Sequence, residues 1–557
     1  MSLPSAISAA AAHTEGLPTM LIEEAYKEYP KPEGIKFTYG TAGIRTKGDI
    51  LQSSCFRMAL ISALRSKKLG GKMVGVMVTA SHNLEEDNGI KAIDSRGEML
   101  ESSWEPYCTE AVNANSAKEL IAVLDQLVKT CKVDLSVPAL VIYGHDTRPT
   151  CPMLVKAVVE GLATMGATVI DAGLKTTPQL HYLVRAHNTQ GTPDAYGEPT
   201  EMGYYDKLSK AFAKLVAGKP PKTTLVVDCA NGVGAYALMQ LQQHIPESLL
   251  KVRALRTDIK TRGALNDGCG ADYVKTNQRL PLGLEKEKGI EAGQRLCSYD
   301  GDADRIVYYY LRGPPQQKES FRLLDGDKIA SLAADHLNDL VKRAGVAIEV
   351  GCVQTAYANG SSTKYLEQRV PVTCTPTGVK HLHHAAERYD VGVYFEANGH
   401  GTILFSSEAQ QKIHETSPSS PAAEDALEQL KSLIDLINQT VGDALSDMLL
   451  VEVILRTKDW DCQEWDSAYE DLPNKLLKVN VKDRFMFVTE DAERKLVKPE
   501  GLQAKIDELV AKYKDARSFV RPSGTEDCVR VYAEAGVAGE LNSLANGVAK
   551  LVADFAA

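Results

Sequence analysis

An α/β fold divided among several domains is what the sequence predicts, on three observations. Short apolar runs rich in Val and Ile, such as MVGVMV at 73–78 and LVVD at 225–228, end abruptly in polar, glycine-bearing loops, as strands buried on both faces do. Helical stretches of amphipathic pattern alternate with them, the order that produces parallel sheets. The chain has 557 residues, enough for roughly three to four domains with ample cores.

The bulk properties exclude several classes of function. A net charge of −10 without a long Lys/Arg block argues against nucleic acid or an anionic membrane surface as the main partner. Eleven cysteines, an odd number with no Cys-x-x-Cys pair, read as thiols in a reducing compartment rather than as a disulfide framework or a zinc site. The Ala-rich start lacks the basic region of a secretory signal, and no apolar run reaches the length of a membrane span. A cytoplasmic protein acting on small molecules is therefore expected.

In chain order, KFTYGTAGIR at 36–45 comes first. Gly40 and Gly43 free the backbone there and leave Arg45 at the edge of a tight loop, which is either a phosphate contact or a plain glycine turn. The strand at 74–78 then delivers Thr79-Ala80-Ser81-His82-Asn83 to its carboxyl end, where α/β folds place ligands. Ser81 is the candidate reacting atom. Asp87-Asn88-Gly89 reads as a hairpin turn, with a strand at 90–93 that brings Lys91 back beside the serine. No Gly-x-Ser-x-Gly elbow surrounds Ser81, so His82 is either a loop-ordering residue or a proton carrier, not part of a hydrolase triad by adjacency.

A helix at 120–130, a strand at 139–143 running into Gly144-His145-Asp146-Thr147-Arg148-Pro149, and a further helix and strand complete the first domain, 1–197. The second, 198–312, opens with the strand at 224–228 and Asn231-Gly232-Val233-Gly234. That turn lacks a full dinucleotide pattern, so its glycines read as close-packing positions. The same domain ends in DGDADR at 300–305. Asp300, Asp302 and Asp304 alternate along an extended segment and project to one side, with only Gly301 and Ala303 between them. Three hard carboxylates call for a cation of the magnesium type. An EF-hand is excluded, because its sixth position would be Arg305 and its twelfth Leu311.

The third domain, 313–447, carries the loop Thr375 to Lys380 with Thr377 and Gly378. It also carries a strand at 391–395 that ends in Glu396-Ala397-Asn398-Gly399-His400-Gly401. An acceptor carboxylate beside an amide suits vicinal hydroxyls of a sugar, or is simply a loop with satisfied polar groups. The fourth, 448–557, holds RPSGTED at 521–527 between two strands. Arg521, Ser523, Gly524 and Thr525 supply a guanidinium fork, two hydroxyls and an approachable N–H, a phosphate cradle in miniature; Arg530 follows on the second strand.

Together these blocks resemble the α-D-phosphohexomutases over nearly the whole chain and in the expected order. TASHN with NGIK resembles the family's phosphoserine loop and DGDADR its magnesium loop. EANGHG resembles its sugar loop, and RPSGTED its phosphate loop. The resemblance implies a four-domain phosphohexomutase architecture: three α/β domains of similar topology plus a smaller α+β C-terminal domain around a central cleft. The form EANGHG, and a GHDTRP segment that follows the serine loop instead of preceding it, resemble the branch acting on N-acetylglucosamine phosphates.

What the resemblance implies for function is a phosphosugar mutase of UDP-N-acetylglucosamine biosynthesis, interconverting the 6- and 1-phosphates of N-acetylglucosamine. The path runs through phospho-Ser81 and a glucosamine-type 1,6-bisphosphate, which is both intermediate and activator. Mg2+ would sit on Asp300, Asp302, Asp304 and a phospho-Ser81 oxygen. Arg45 and Arg305 would steady the moving phosphoryl group, and Lys91, ahead of His82 and His400, would carry the proton. Thr377, Gly378, Glu396, Asn398 and His400 would hold the sugar, and Arg521, Ser523, Gly524, Thr525 and Arg530 the other phosphate. The alternatives are a glucose- or mannose-phosphate mutase, a phosphatase, or a non-catalytic sugar-phosphate-binding protein.

Overall fold

The structure, a computed structural model, describes residues 16–40, 43–523 and 528–556. The chain forms two compact units. One comprises residues up to 323 together with 435–456, and the other comprises 324–434 with 457–557.

The apolar run after Lys72 forms the heart of the first sheet. Its strands are β1 (Ile44–Lys47), β2 (Val74–Val78), β3 (Asp87–Ile93), β4 (Leu140–His145) and β5 (Thr168–Leu174), in the order β1-β3-β2-β4-β5. β2, β4 and β5 run parallel, while β3 is antiparallel to both β2 and β1. Every residue of β2 is buried, as a central strand covered on both faces must be. The helix Gln52–Lys68 is buried from Ser53 to Ser66. It lies so close to the helix Cys151–Thr164 that a Cβ on Gly161 would meet the Phe56 carbonyl at 2.5 Å.

Asp87-Asn88-Gly89 is not the hairpin turn expected from its composition. It is the first part of β3, paired with Lys47, Thr46 and Arg45 of β1. Gly89 serves packing here, since a Cβ would meet the carbonyls of Thr79 at 2.5 Å and Ile44 at 2.7 Å.

The second sheet comprises β6 (Leu225–Asp228), β7 (Val252–Leu255), β8 (Leu296–Tyr299), β9 (Ile306–Leu311) and β10 (Phe321–Leu324), ordered β10-β9-β8-β6-β7. β6, β7 and β8 are parallel and β9 is antiparallel to β8. The boundary expected after residue 312 thus falls between two strands of one sheet. The boundary expected after 447 falls inside the helix Ala444–Lys458, buried from Ala444 to Arg456. Its apolar sequence on all sides is that of an interior helix, and the Ala444 N–H donates to the Ala303 carbonyl at 3.0 Å.

In the second unit, β11 (Val350–Thr355), β12 (Val372–Thr375), β13 (Val391–Phe395) and β14 (Gly401–Phe405) form a sheet ordered β12-β11-β13-β14. Its first three strands are parallel and the last antiparallel. The first three sheets therefore share a parallel centre with an antiparallel edge. A smaller antiparallel sheet follows, β15 (Asn474–Asn480), β19 (Cys528–Glu534) and β18 (Arg517–Pro522), with the hairpin β16 (Val488–Glu490) and β17 (Lys495–Lys498) beside it. Three α/β sheets and a smaller α+β part match the predicted fold class. All eleven cysteines are free. No described helix is long and apolar enough to cross a membrane.

Candidate active site

Ser81 lies just beyond the carboxyl end of β2 and is fully buried. Its φ of 49° places it in the left-handed region, a conformation that costs a non-glycine residue roughly 1–2 kcal/mol and persists only where the surroundings enforce it. Several groups do so. The Ser81 N–H donates to Thr79 Oγ1 at 3.0 Å. Its carbonyl accepts from Arg148 Nη2 and from Asn266 Nδ2, each at 2.9 Å, and the same two groups hold the Asn83 carbonyl.

Arg148 is itself buried. It also donates to the carbonyls of Leu84 and Asp87, and its Nε to Asp146 Oδ2 at 3.0 Å. It is therefore the structural core of the serine loop, paired with a buried Asp146.

The Ser81 hydroxyl donates to Asp300 Oδ2 at 2.6 Å and lies 3.3 Å from Asp304 Oδ1. Asp300, Asp302 and Asp304 are buried, and each places a carboxylate oxygen within 4.8 Å of the others. The segment is not the extended run that the alternation suggested. Asp304 and Arg305 donate their N–H groups to Asp300 Oδ1, the Ala303 N–H reaches the Asp300 carbonyl at 3.2 Å, and Ala303 has a φ of 57°. A tight turn, not a β pleat, gathers the three carboxylates.

Gly301 and Gly232 are both required by this turn. A Cβ on Gly301 would meet the Ser81 carbonyl at 2.5 Å, and one on Gly232 would collide with the Gly301 carbonyl. The close-packing role expected for Gly232 is thus to support the acidic turn.

Burial, then the charges of Asp304 and Asp302, hold the Asp300 carboxyl well above the usual carboxylate range. Such a cluster of hard oxygens fits a divalent cation of the magnesium type. The fit is supported by Asp302 Oδ1, a buried oxygen with no hydrogen-bond partner. The other Asp302 oxygen accepts from Thr177 Oγ1 at 2.6 Å and Thr79 Oγ1 at 3.3 Å.

Cations surround the cluster. Lys91 Nζ lies 3.5 Å from Asp302 Oδ2 and 3.4 Å from Asp304 Oδ2. Arg305 Nε is 3.8 Å from both Asp300 and Asp304, and its Nη1 donates to Asp272 Oδ1 at 3.1 Å. Arg45 is partly buried; loss of hydration first and then the Arg305 charge lower its pKa, and its Nε has no hydrogen-bond partner. His82 is held neutral beside an unmodified Ser81, its pKa pushed down to about 2 by the Arg305 charge first, then by burial and Arg45. Ser81, His82, Lys91, Arg45, Arg305 and the three aspartates all belong to the first unit.

The second unit carries the remaining candidates. Glu396 and Asn398 converge, with Asn398 Nδ2 donating to Glu396 Oε2 at 3.2 Å and Asn398 Oδ1 accepting from the His400 N–H at 3.0 Å. Gly326 lets this loop approach, since a Cβ there would collide with the Glu396 carbonyl.

Thr377 precedes Gly378, whose φ of 127° opens the helix Val379–Ala386. Arg521 and Arg530 are cross-strand partners on β18 and β19. Two like charges on one face are unfavourable unless an anion meets them. The Ser523 N–H closes this hairpin on the Cys528 carbonyl at 2.9 Å. Gly524 and Thr525 lie outside the described residues.

Sequence reasoning passed over Arg148, Thr177, Asn266 and Asp272 in the first unit, and Tyr357 and Glu493 in the second. Arg148 had a usable signal, the GHDTRP loop at the end of a strand. The others sit far along the chain from what they touch.

Comparisons with known proteins agree along the chain. Residues 194–307 and 325–460 match the family models described as phosphoacetylglucosamine mutase AMG1, domain II and domain III. Residues 59–119 with 110–192, and 476–551, match phosphoglucomutase/phosphomannomutase alpha/beta/alpha domain I and the C-terminal domain. The chain is 49% identical to the phosphoacetylglucosamine mutase of Sus scrofa over 531 residues, covering 94% of this chain and 95% of that one.

Among solved structures, Aspergillus fumigatus N-acetylphosphoglucosamine mutase in complex with GlcNAc-6P and magnesium is 50% identical. It superposes with a TM-score of 0.92, covering 98% of this chain and 100% of that chain. A serine-to-alanine variant of that enzyme in complex with glucose 1,6-bisphosphate gives a TM-score of 0.91 at 51% identity, over 98% and 100% of the two chains. With the serine loop and the acidic turn joined as the geometry shows, these similarities over almost the full length place the chain in the phosphoacetylglucosamine mutase family of the α-D-phosphohexomutases.

Proposed function

We propose that this chain interconverts N-acetylglucosamine 6-phosphate and N-acetylglucosamine 1-phosphate through phospho-Ser81 and a 1,6-bisphosphate, in the cytoplasm, supplying UDP-N-acetylglucosamine synthesis. One observation carries the reading: a buried serine hydroxyl 2.6 Å from one member of a three-carboxylate cluster, on a loop whose backbone is fixed from two sides. Among the described residues, nothing near Ser81 forms a hydrolase triad. The arrangement suits a serine that stores a phosphoryl group.

In the forward half-reaction the free 1-hydroxyl of the 6-phosphate attacks the Ser81 phosphorus. The new sugar O–P bond forms as the Ser81 Oγ–P bond breaks, and the hydroxyl proton leaves to Lys91 Nζ, which takes it as the neutral amine. The bisphosphate then turns over, its 6-phosphoryl group passes to Ser81 Oγ as the O6–P bond breaks, and the 6-oxygen takes the proton back from Lys91. Asp300, Asp302 and Asp304, with a phosphoserine oxygen, would hold Mg2+, which when bound supplies charge neutralisation for phosphoryl transfer.

Arg45 and Arg305 stabilise the equatorial oxygens in flight. Glu396, Asn398 and His400, with Thr377 and Gly378, hold the ring hydroxyls. Arg521, Ser523, Gly524, Thr525 and Arg530 anchor the phosphate that is not reacting. Lys91 is preferred as proton carrier because its Nζ lies beside the acidic cluster, 3.5 Å from Asp302 and 3.4 Å from Asp304, the second of which also faces the Ser81 hydroxyl.

The test is to compare kcat/KM for N-acetylglucosamine and glucose phosphates, with magnesium and a trace of sugar bisphosphate present. A clear preference for the acetamido substrate supports the reading, and a preference for glucose phosphates favours the glucose-phosphate mutase instead. Release of inorganic phosphate at the same rate as substrate loss would make the chain a phosphatase.

A further inference from the structure

The tip of the β16–β17 hairpin places an acidic side chain in the middle of the proposed phosphate anchor. Glu493 Oε1 accepts from Arg521 Nη1 at 2.7 Å. Its Oε2 accepts from the Thr377 hydroxyl at 2.6 Å and from the Thr377 N–H at 3.0 Å. A guanidinium, a hydroxyl and a backbone N–H are the donor types that hold a phosphate. We propose that Glu493 is a positioning residue whose carboxylate occupies the grip of Arg521 and Thr377 and is exchanged for the phosphate of the incoming sugar phosphate. The inference rests on reading Arg521 as the phosphate anchor.

Two further observations carry it. Arg521 Nε is engaged with the Tyr357 hydroxyl at 3.1 Å, so each edge of the guanidinium already has one donor in use. A bidentate grip on phosphate needs one edge released. Tyr357 is uncharged, whereas Glu493 would repel a phosphate sharing the same guanidinium, so Glu493 is the group to leave.

The hairpin tip is also strained. Asp491, Ala492 and Glu493 have successive φ values of 52°, 53° and 69°, and none is a glycine. Withdrawal of Glu493 lets that backbone relax, which keeps the internal contact weak enough to yield. Because one carboxylate holds both Thr377 and Arg521, its withdrawal frees both donors in one step.

Inorganic phosphate is the probe, titrated calorimetrically into the full chain with a chelator present. Wild type is compared with Glu493→Gln and Arg521→Ala. Removing the competing charge should tighten phosphate binding by about three- to fivefold, the effect of one partly exposed ion pair. It should also lower KM for N-acetylglucosamine 6-phosphate by a similar factor while kcat changes less. A merely structural Glu493 would instead leave phosphate affinity unchanged or weaker and raise KM, which would overturn the proposal.

If Arg521→Ala binds phosphate as well as wild type, the anchor assignment fails and the proposal with it. If Arg521→Ala weakens binding and Glu493→Gln does not tighten it, only the exchange fails. Wild type gives an independent reading that needs no variant to fold. Phosphate should speed hydrogen exchange of the amides at 491–494, and protection of those amides by phosphate would contradict the exchange.

Discussion

At the scale of single residues, the account turns on how tightly Ser81 is prepared. Its hydroxyl is aimed by Asp300 and its carbonyl is held by Arg148 and Asn266. Ser81→Ala should cut turnover by at least about 10³-fold, and, because it takes the hydroxyl donor from a buried Asp300 oxygen, should lower stability by about 1–3 kcal/mol. Arg148→Met should act differently. It leaves four loop carbonyls without this donor and Asp146 as an uncompensated buried charge, a loss of about 3–5 kcal/mol by the measure of broken buried pairs. Chemical denaturation would read it directly; a loss under 1 kcal/mol would show that the loop is held elsewhere. Ser81 and the three aspartates were legible in the sequence because each stands in a short dense motif. Arg148 was visible only as part of a loop, since its work is done on carbonyls 61–67 residues away.

At the scale of elements, strand ends and turns carry the chemistry. The acidic turn after β8 depends on two glycines, and the turn before the helix Gly234–His244 supports it from below. Gly232→Ala should push the Gly301 carbonyl out of place, costing about 1–3 kcal/mol as overpacking does. It should also lower kcat more than it raises KM, since the displaced carbonyl belongs to the turn that gathers Asp300, Asp302 and Asp304. A kcat equal to wild type would separate Gly232 from the centre.

Apolar periodicity made the strands legible, and the motifs at their ends named the loops. The turn at Asp87-Asn88-Gly89 was misread because composition alone cannot distinguish a glycine that turns the chain from one that lets β1 and the Thr79 carbonyl approach. The shape of the Asp300 turn was misread for a similar reason: alternation suggests a pleat, but hydrogen bonds to Asp300 Oδ1 fold it up. Glu493 carried no signal, because its partners Thr377 and Arg521 are 116 and 28 residues away.

At the scale of the whole molecule, the residues proposed for the reaction are divided between the two units. The first holds Ser81, the acidic cluster and the cations around it; the second holds the residues proposed to bind the sugar and the phosphate. Chelation should therefore abolish turnover without abolishing phosphate binding to the second unit's anchor, and magnesium should restore turnover. Asp302→Ala should mimic chelation and resist rescue by added metal. Activity that survives both would remove the metal from the account.

The most direct test of the central claim follows one phosphoryl group. The protein is charged with glucose 1,6-bisphosphate labelled in its phosphates, the label on the Ser81 peptide is measured, and unlabelled N-acetylglucosamine 6-phosphate is then added. The account predicts that label appears on Ser81, is absent from Ser81→Ala, and leaves into N-acetylglucosamine 1,6-bisphosphate. Label that never attaches to Ser81, or that leaves only as inorganic phosphate, would contradict it.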